Sequence, residues 1–394
     1  MAKKKNIEFS NPILRSILSN QIQNAVGFLG GELSESRRKS LEYYLGDRLG
    51  TEIDGRSQVV STDVADTIES MLPGLLKVFT ASDKVVSCEP VTGEDVGIAE
   101  QATAYLNHVF YKDNPGFKLL YNFFKDALIE KNGFLKVYFD ETEKVEHETY
   151  KNLTIAEKDA LLDTKDDIEL VEEEEIEDEV AAEQIELAKD QAELQGLDIS
   201  QVNFPDPVLY NCKIKRISKT GKVKIESIPP EEFLINRSAK TIDDADFVSH
   251  KVLMTRSDIV QMGFPQEEVD QLPRTENDIF NTDQDIRNQN VTNFQTNVAT
   301  DSSTEKVLIY ESYIKYDYDE DGIAELRKVI SAGDDGFKVL SNEPCDGIPF
   351  VSVTPIPMPH RFYGRSISEL VEDIQLIKST VMRQLLDNMY LTNN

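Results

Sequence analysis

The chain has 394 residues, with 72 aspartates and glutamates against 42 lysines and arginines, a formal net charge of −30 and 40% hydrophobic residues. That length can bury two or three cores, no apolar run approaches the ~18 residues of a membrane-spanning helix, and the charge is too acidic for ordinary phosphate-neutralising DNA binding. Met1–Asn6 has charge with no apolar core behind it, so no secretory signal is expected. Cys88, Cys212 and Cys345, each more than 100 residues from the next, form neither a metal-like pair nor a disulfide framework.

Residues 1–33 are polar with a weak apolar pattern (Ile13, Leu14, Ile17, Leu18), read as an N-terminal docking arm of one or two helices. Residues 34–140 read as mainly helical. Glu35–Leu45 is one helix, with Gly46 as its stop. Gly55–Ser61 leads in extended to a second helix, capped by Ser61, Thr62 or Asp63. Its stripe is Val64, Ile68, Met71, Leu72, Leu75 and Phe79, and Pro73 inside it predicts a kink. Val85–Glu89 is strand-like. Helices follow over 94–111 and 116–131, separated by Asn114-Pro115, with His108 read as a core histidine. Phe134–Phe139 alternates as a strand.

Residues 141–206 form an acidic insertion. Between 141 and 200, twenty-two carboxylates meet five lysines, a net −17. Blocks such as Glu172–Glu175 repel themselves and are expected to be solvated, while Ile185, Ala188, Ala192 and Leu194 keep a helical spacing. Residues 207–275 follow, where Val208–Ile217, a Thr220-Gly221 turn and Lys222–Ile228 predict a hairpin. Thr255 with Asp258 caps a short helix that Gly263 stops. Residues 276–305, rich in Asn, Asp, Gln and Thr, read as a polar loop. Residues 306–357 read as a small β unit: a long hairpin over 306–330, then strands near 337–341 and 348–354.

The final segment, 358–394, begins after prolines at 355, 357 and 359. Ser366 and Glu369 make a capping box. Ile367, Leu370, Val371, Ile374, Ile377, Val381, Leu385 and Met389 then recur at spacings of three and four, one face of an amphipathic helix over 366–391. The opposite face carries Glu372, Asp373, Lys378, Arg383 and Asp387. Some 25 residues make a rod of roughly 38 Å that packs on one side only. A single molecule cannot bury that stripe, so copies are expected to close into an annulus around it.

The sharpest chemical motif is Asp317-x-Asp319-x-Asp321-Gly322, the first half of a calcium loop. Glu325 at position nine is a usable ligand, but position twelve is Lys328 where a bidentate glutamate is required. Asp317, Asp319, Asp321 and Glu325 are therefore the candidate metal ligands, and calcium the one possible cofactor. Arg361, Arg365, Lys378 and Arg383 form one modest basic cluster. Near a helix start a cation is not stabilised by the dipole, so Arg361 and Arg365 are candidates for pairing across a subunit boundary. No phosphate loop, dinucleotide turn, H-E-x-x-H or C-x-x-C is present, and His108, His147, His250 and His360 have no paired nucleophile. No enzymatic activity is expected.

Three stretches, near residues 40–140, 208–265 and 306–394, resemble the portal proteins of short-tailed bacteriophages. They include GRSxVVSxDVxDxxExxxPxLxxxF from Gly55, IPPEEFLI from Ile228, DDADFVSHKVLMTRSDI from Asp243 and PMPHRFYGRSISELVEDIQLIKSTVMRQLLDNMYLTNN at the end. The resemblance implies an α+β portal-like fold: a helical wing with β-hairpins over 34–275, the β unit on the side of the motor and tail adaptor, and a long stem or channel helix. It implies a dodecameric ring at one capsid vertex of the virion, assembled in the host cytoplasm, with no membrane involved. Its partners would be the major capsid protein, terminase, tail adaptor proteins and double-stranded DNA passing through during packaging and ejection. Arg56, with Arg361, Arg365, Lys378 and Arg383, becomes a subunit-interface or channel candidate. Family members continue past the last helix, so a C-terminal crown or barrel is expected to be missing and the chain truncated. The alternatives are a calcium-dependent binding module centred on the aspartate hairpin, and a metal-dependent nuclease.

Overall fold

The computed structural model describes residues 12–163 except 49 and 83, then 168–178, 182, 183, 187, 208–273, and 301–392 except 334, 335 and 337. The chain divides into two compact units, Met1–Tyr138 with Lys224–Asn394, and Phe139–Val223.

In the larger unit, α1 (Pro12–Phe28) ends in a π turn over Leu29–Leu33. There Gly31 leaves helical geometry at φ −91° and ψ −130°, so that α2 (Ser34–Leu45) starts in a new direction. Gly46 ends α2 in the left-handed region at φ 72°, where a Cβ would be strained. Helices α3 (Asp63–Thr80), α4 (Val96–His108) and α5 (Gly116–Glu130) follow, α3 running on through Pro73. Helices α2, α3 and α5 close on Leu41, Ile68, Leu72, Leu120, Phe124 and Leu128. Two expectations are corrected here. Val85–Glu89 is no strand, because its amides are taken by buried side chains of α4: Val85 N–H donates to Asn107 Oδ1 (2.6 Å) and Cys88 N–H to Thr103 Oγ1 (2.9 Å). His108 is exposed, 3.7 Å from Asp113, and is not a core histidine.

Strand β1 (Gly133–Leu153) starts in the larger unit and runs into the smaller one, which adds α6 (Ile155–Asp163) and β2 (Ile168–Glu177), and β3 (Val208–Ile228) leads from it back into the larger unit. The block Glu172–Glu175 is ordered in β2, antiparallel to Tyr210–Lys213 of β3. Its self-repulsion is offset by Lys213 against Glu172 and Lys158 against Glu173, with Lys215 against Glu169 at 3.1 Å. The predicted hairpin at 208–228 is instead one continuous strand. Gly221 is a close-approach glycine, since a Cβ there would lie 2.1 Å from the Phe139 ring. The helical spacing from Ile185 to Leu194, and the polar loop up to residue 300, lie outside the described residues.

In the larger unit, β4 (Phe233–Ile235), β5 (Phe247–Thr255), β6 (Lys306–Tyr316), β7 (Glu325–Ala332) and β8 (Lys338–Pro344) form an antiparallel sheet in that order. β5 and β6, expected in separate parts either side of the polar loop, are direct neighbours from Phe247–Ile314 to Thr255–Lys306. Between them, Thr255 and Asp258 make the expected capping box of α7 (Arg256–Gln261), and α8 (Gln266–Val269) follows. One face of the sheet is covered by Leu14, Leu18, Ile22 and Ala25 of α1. Strand β9 (Phe350–Val353) leaves the β unit to pair with Gly133–Lys136 of β1. Phe134 stacks on Phe233 at 4.0 Å, with Phe350 edge-on to Phe233, joining the two sheets. The last element is α9 (Ser368–Thr392). Helices and antiparallel strands together make an α+β architecture.

Lys136 of β1 and Lys328 of β7 (2.9 Å) both pair with Glu311 of β6, which also accepts from the Tyr313 hydroxyl at 2.7 Å. Burial alone would push the Glu311 carboxyl up, but the two ammonium groups outweigh it and hold it at about 2. A depressed carboxylate stabilises the fold above its unfolded value and loses that contribution as pH falls through the folded one, here roughly 3 kcal/mol between pH 5 and pH 2. Denaturant titrations across that window should show the loss in wild type. Glu311→Gln should start less stable at pH 7 and fall by about 3 kcal/mol less.

Candidate functional site

Helix α9 begins where the sequence places it. Ser366 N–H donates to Glu369 Oε2 (3.2 Å) and Glu369 N–H to Ser366 Oγ (3.1 Å), the reciprocal cap. Its rotation about its own axis is the surprise. The side buried in the chain is the polar one, Ser368, Gln375, Ser379 and Arg383. Ile367, Val371 and Leu376 are half-buried beside them against the α2–α3–α5 core. Leu370, Ile374, Ile377, Val381, Leu385 and Met389 point away from the chain, each 45 to 65% exposed.

Hydrogen bonding explains that rotation. Gln375 accepts from Val64 N–H (2.8 Å) through Oε1 and donates to Tyr43 C=O (2.9 Å) through Nε2, tying the end of α2 to the start of α3. This amide caps α3; of the expected caps Ser61, Thr62 and Asp63, it is Thr62 that stands at the N-cap, and its side chain makes no cap bond. Ser379 Oγ accepts from Ser61 N–H (3.0 Å) and donates to the Gln375 carbonyl (2.7 Å), and Ser368 Oγ donates to Ser40 C=O (3.2 Å). Arg383 Nη1 reaches Glu52 at 2.6 Å and Nη2 reaches Thr51 Oγ1 at 2.8 Å, both charged side chains being only 7% exposed. At the rim, Lys378 pairs with Asp63 (2.6 Å) and Lys39 with Glu372 (3.0 Å). The Lys378 ammonium and the Ser61 hydroxyl hold the Asp63 carboxyl below the usual range.

The sequence's basic cluster therefore does not act as one. Lys378 and Arg383 are engaged by Asp63 and Glu52 of their own chain. Arg365 lies 3.9 Å from Glu369, and Arg361 and Arg56 are exposed. Gln375, Ser379 and Glu52 were not singled out from the sequence, and Asp63 only as a candidate helix cap. The available signal was the polar triplet 375, 379, 383 at four-residue spacing inside an otherwise amphipathic helix.

In the β6–β7 turn, carboxylate oxygens of Asp317, Asp319 and Asp321 lie within 4.8 Å of one another. They accept from the loop's own amides: Asp321 N–H to Asp317 (3.1 Å), Gly322 N–H to Asp317 (2.8 Å) and Ile323 N–H to Asp321 (2.7 Å). Gly322 at φ 88° makes the sharp turn. Glu325 stands outside that group, 3.9 Å from Arg327, and Lys328 is turned to Glu311.

A family model described as phage SU10 portal protein matches residues 14–394. The matched span includes α9 and every group its polar face touches. Removing one partner of a buried ion pair strands the other charge, at a cost of about 3–5 kcal/mol, whereas replacing both costs far less. Arg383→Ala should therefore lower unfolding stability by that order in urea titrations, and Arg383→Met combined with Glu52→Gln should recover most of it.

Proposed function

This chain belongs to the phage SU10 portal protein family, and we propose that it is one subunit of a ring-shaped conduit at a capsid vertex. In this reading a terminase motor drives double-stranded DNA inward through the ring, the same DNA leaves through it into the tail, and tail adaptor proteins attach to it. The ring has about twelve copies. The region 34–275 forms its outward wing, the β unit over 306–357 faces motor and adaptor, and α9 lines or backs the channel. The major capsid protein surrounds it in the virion, following assembly in the host cytoplasm.

The observation that carries this reading is the exposed stripe of α9. Six large apolar side chains in a row along a 25-residue helix would gain roughly 1.5–3 kcal/mol each on full burial. No described residue buries them, because the polar face is the one committed to α2 and α3. A heterologous contact repeated around an axis covers every copy's stripe and closes into a ring. The −30 charge of each copy suits a passage that repels phosphate and lets DNA slide.

The convergence of Asp317, Asp319 and Asp321 favours one addition, a calcium ion held on the β6–β7 turn. Calorimetric titration with calcium should give uptake that Asp319→Asn abolishes; absence of heat with wild type removes this addition and leaves the ring untouched. For the ring itself, light scattering and negative-stain images of the purified chain should give closed particles of about a dozen copies. Ile377→Glu with Leu385→Glu, both at exposed positions, should leave the monomer folded and abolish the particles. Particles of unchanged size would contradict the reading.

A further inference from the structure

The larger unit holds a cleft of about 570 Å³ between the end of α1, the turn after β4 and the segment leading into α9. In a chain this acidic its lining is unusual: Lys131, Arg237, Arg361 and Arg365 against a single carboxylate, Glu369. Glu369 is already engaged by Lys131 at 2.9 Å and faces Arg365 at 3.9 Å. Arg237 and Arg361 have no carboxylate partner among the described residues. Arg237 is placed over the Phe28 ring, its guanidinium carbon 5.7 Å from the centroid, which orients its donors without neutralising them. Among the described residues, two of the four non-glycine residues with positive φ line the same cleft, Lys131 at 82° and His360 at 63°. Backbone strain of this kind persists where the surroundings enforce it and gathers at working sites.

We infer that this cleft is a docking site for carboxylates of a second copy of the chain, with Arg237 and Arg361 as the receiving cations. The inference rests on the ring reading and names one of its contacts. Copies carrying −30 each repel one another, so a ring needs short-range attraction where the surfaces meet. With 72 carboxylates against 42 lysines and arginines, a second copy has carboxylates in surplus, and guanidiniums without a carboxylate partner are the scarce complement. The same surplus disfavours nucleic acid as the occupant, since a polyphosphate strand would approach against the field of the whole chain.

Three forms of the full chain test this: wild type, Arg237→Glu with Arg361→Glu, and Arg361→Lys. Both arginines are exposed, so the reversed form should melt like wild type. It should need about tenfold more protein to half-assemble, a gap that narrows as salt is raised. In rings of mixed isotope-labelled and unlabelled Arg361→Lys copies, zero-length carbodiimide coupling should join the introduced lysine to a carboxylate of the other copy. Equal assembly of the reversed form, or no coupling between copies, overturns the inference. So does labelled DNA that wild-type rings retain and the reversed form loses without a change in assembly. A wild-type chain that stays monomeric fails the ring reading itself, and that is seen before any variant is compared.

Discussion

Gln375, Ser379 and Arg383 carry their polar groups out of solvent, and each such group must find a partner or cost about 1–3 kcal/mol, more for the charge. All three find one, in Tyr43 and Val64, in Ser61, and in Glu52 with Thr51. Those partners sit at the end of α2, the start of α3 and the extended lead-in between them. Turning α9 by half a revolution would orphan all of them at once, together with the amide that Gln375 caps on α3. The rotation of the helix is thus decided by hydrogen bonds, and the direction of its apolar stripe is a consequence.

Much of this was legible in the residues. The caps at Ser366–Glu369 and Thr255–Asp258 form as read, because a hydroxyl and a carboxylate three residues apart satisfy specific amides whatever the surroundings. Gly46 ends α2 for an equally local reason. The apolar periodicity of α9 also identified its stripe, and the chain leaves that stripe exposed. What periodicity does not contain is the identity of the covering surface, so the polar side, read through Lys378 and Arg383 as subunit interface or channel, was assigned no partner within its own chain.

The misreadings have the same root. Thr220-Gly221 has turn chemistry, yet Gly221 serves to let Phe139 lie against the backbone of β3. Val85–Glu89 has strand composition, yet its amides are claimed by Asn107 and Thr103. In both cases a residue distant in sequence outvoted a local preference. Glu172–Glu175 is exposed, as its charge led one to expect, and its place in a strand is supported by Lys213 of β3 against Glu172 and Lys158 of α6 against Glu173.

A closed ring depends on α9 turning its apolar stripe away from its own chain and toward a neighbouring copy. Thiol labelling measures this directly, using Ile377→Cys and Ser379→Cys in separate chains and reading each modified site by mass spectrometry in monomer and in assembled particle. Position 377 should react in the monomer and be protected in the particle, while position 379 should be protected in both. Protection of 377 in a folded monomer, or its full reactivity in the particle, would contradict that arrangement.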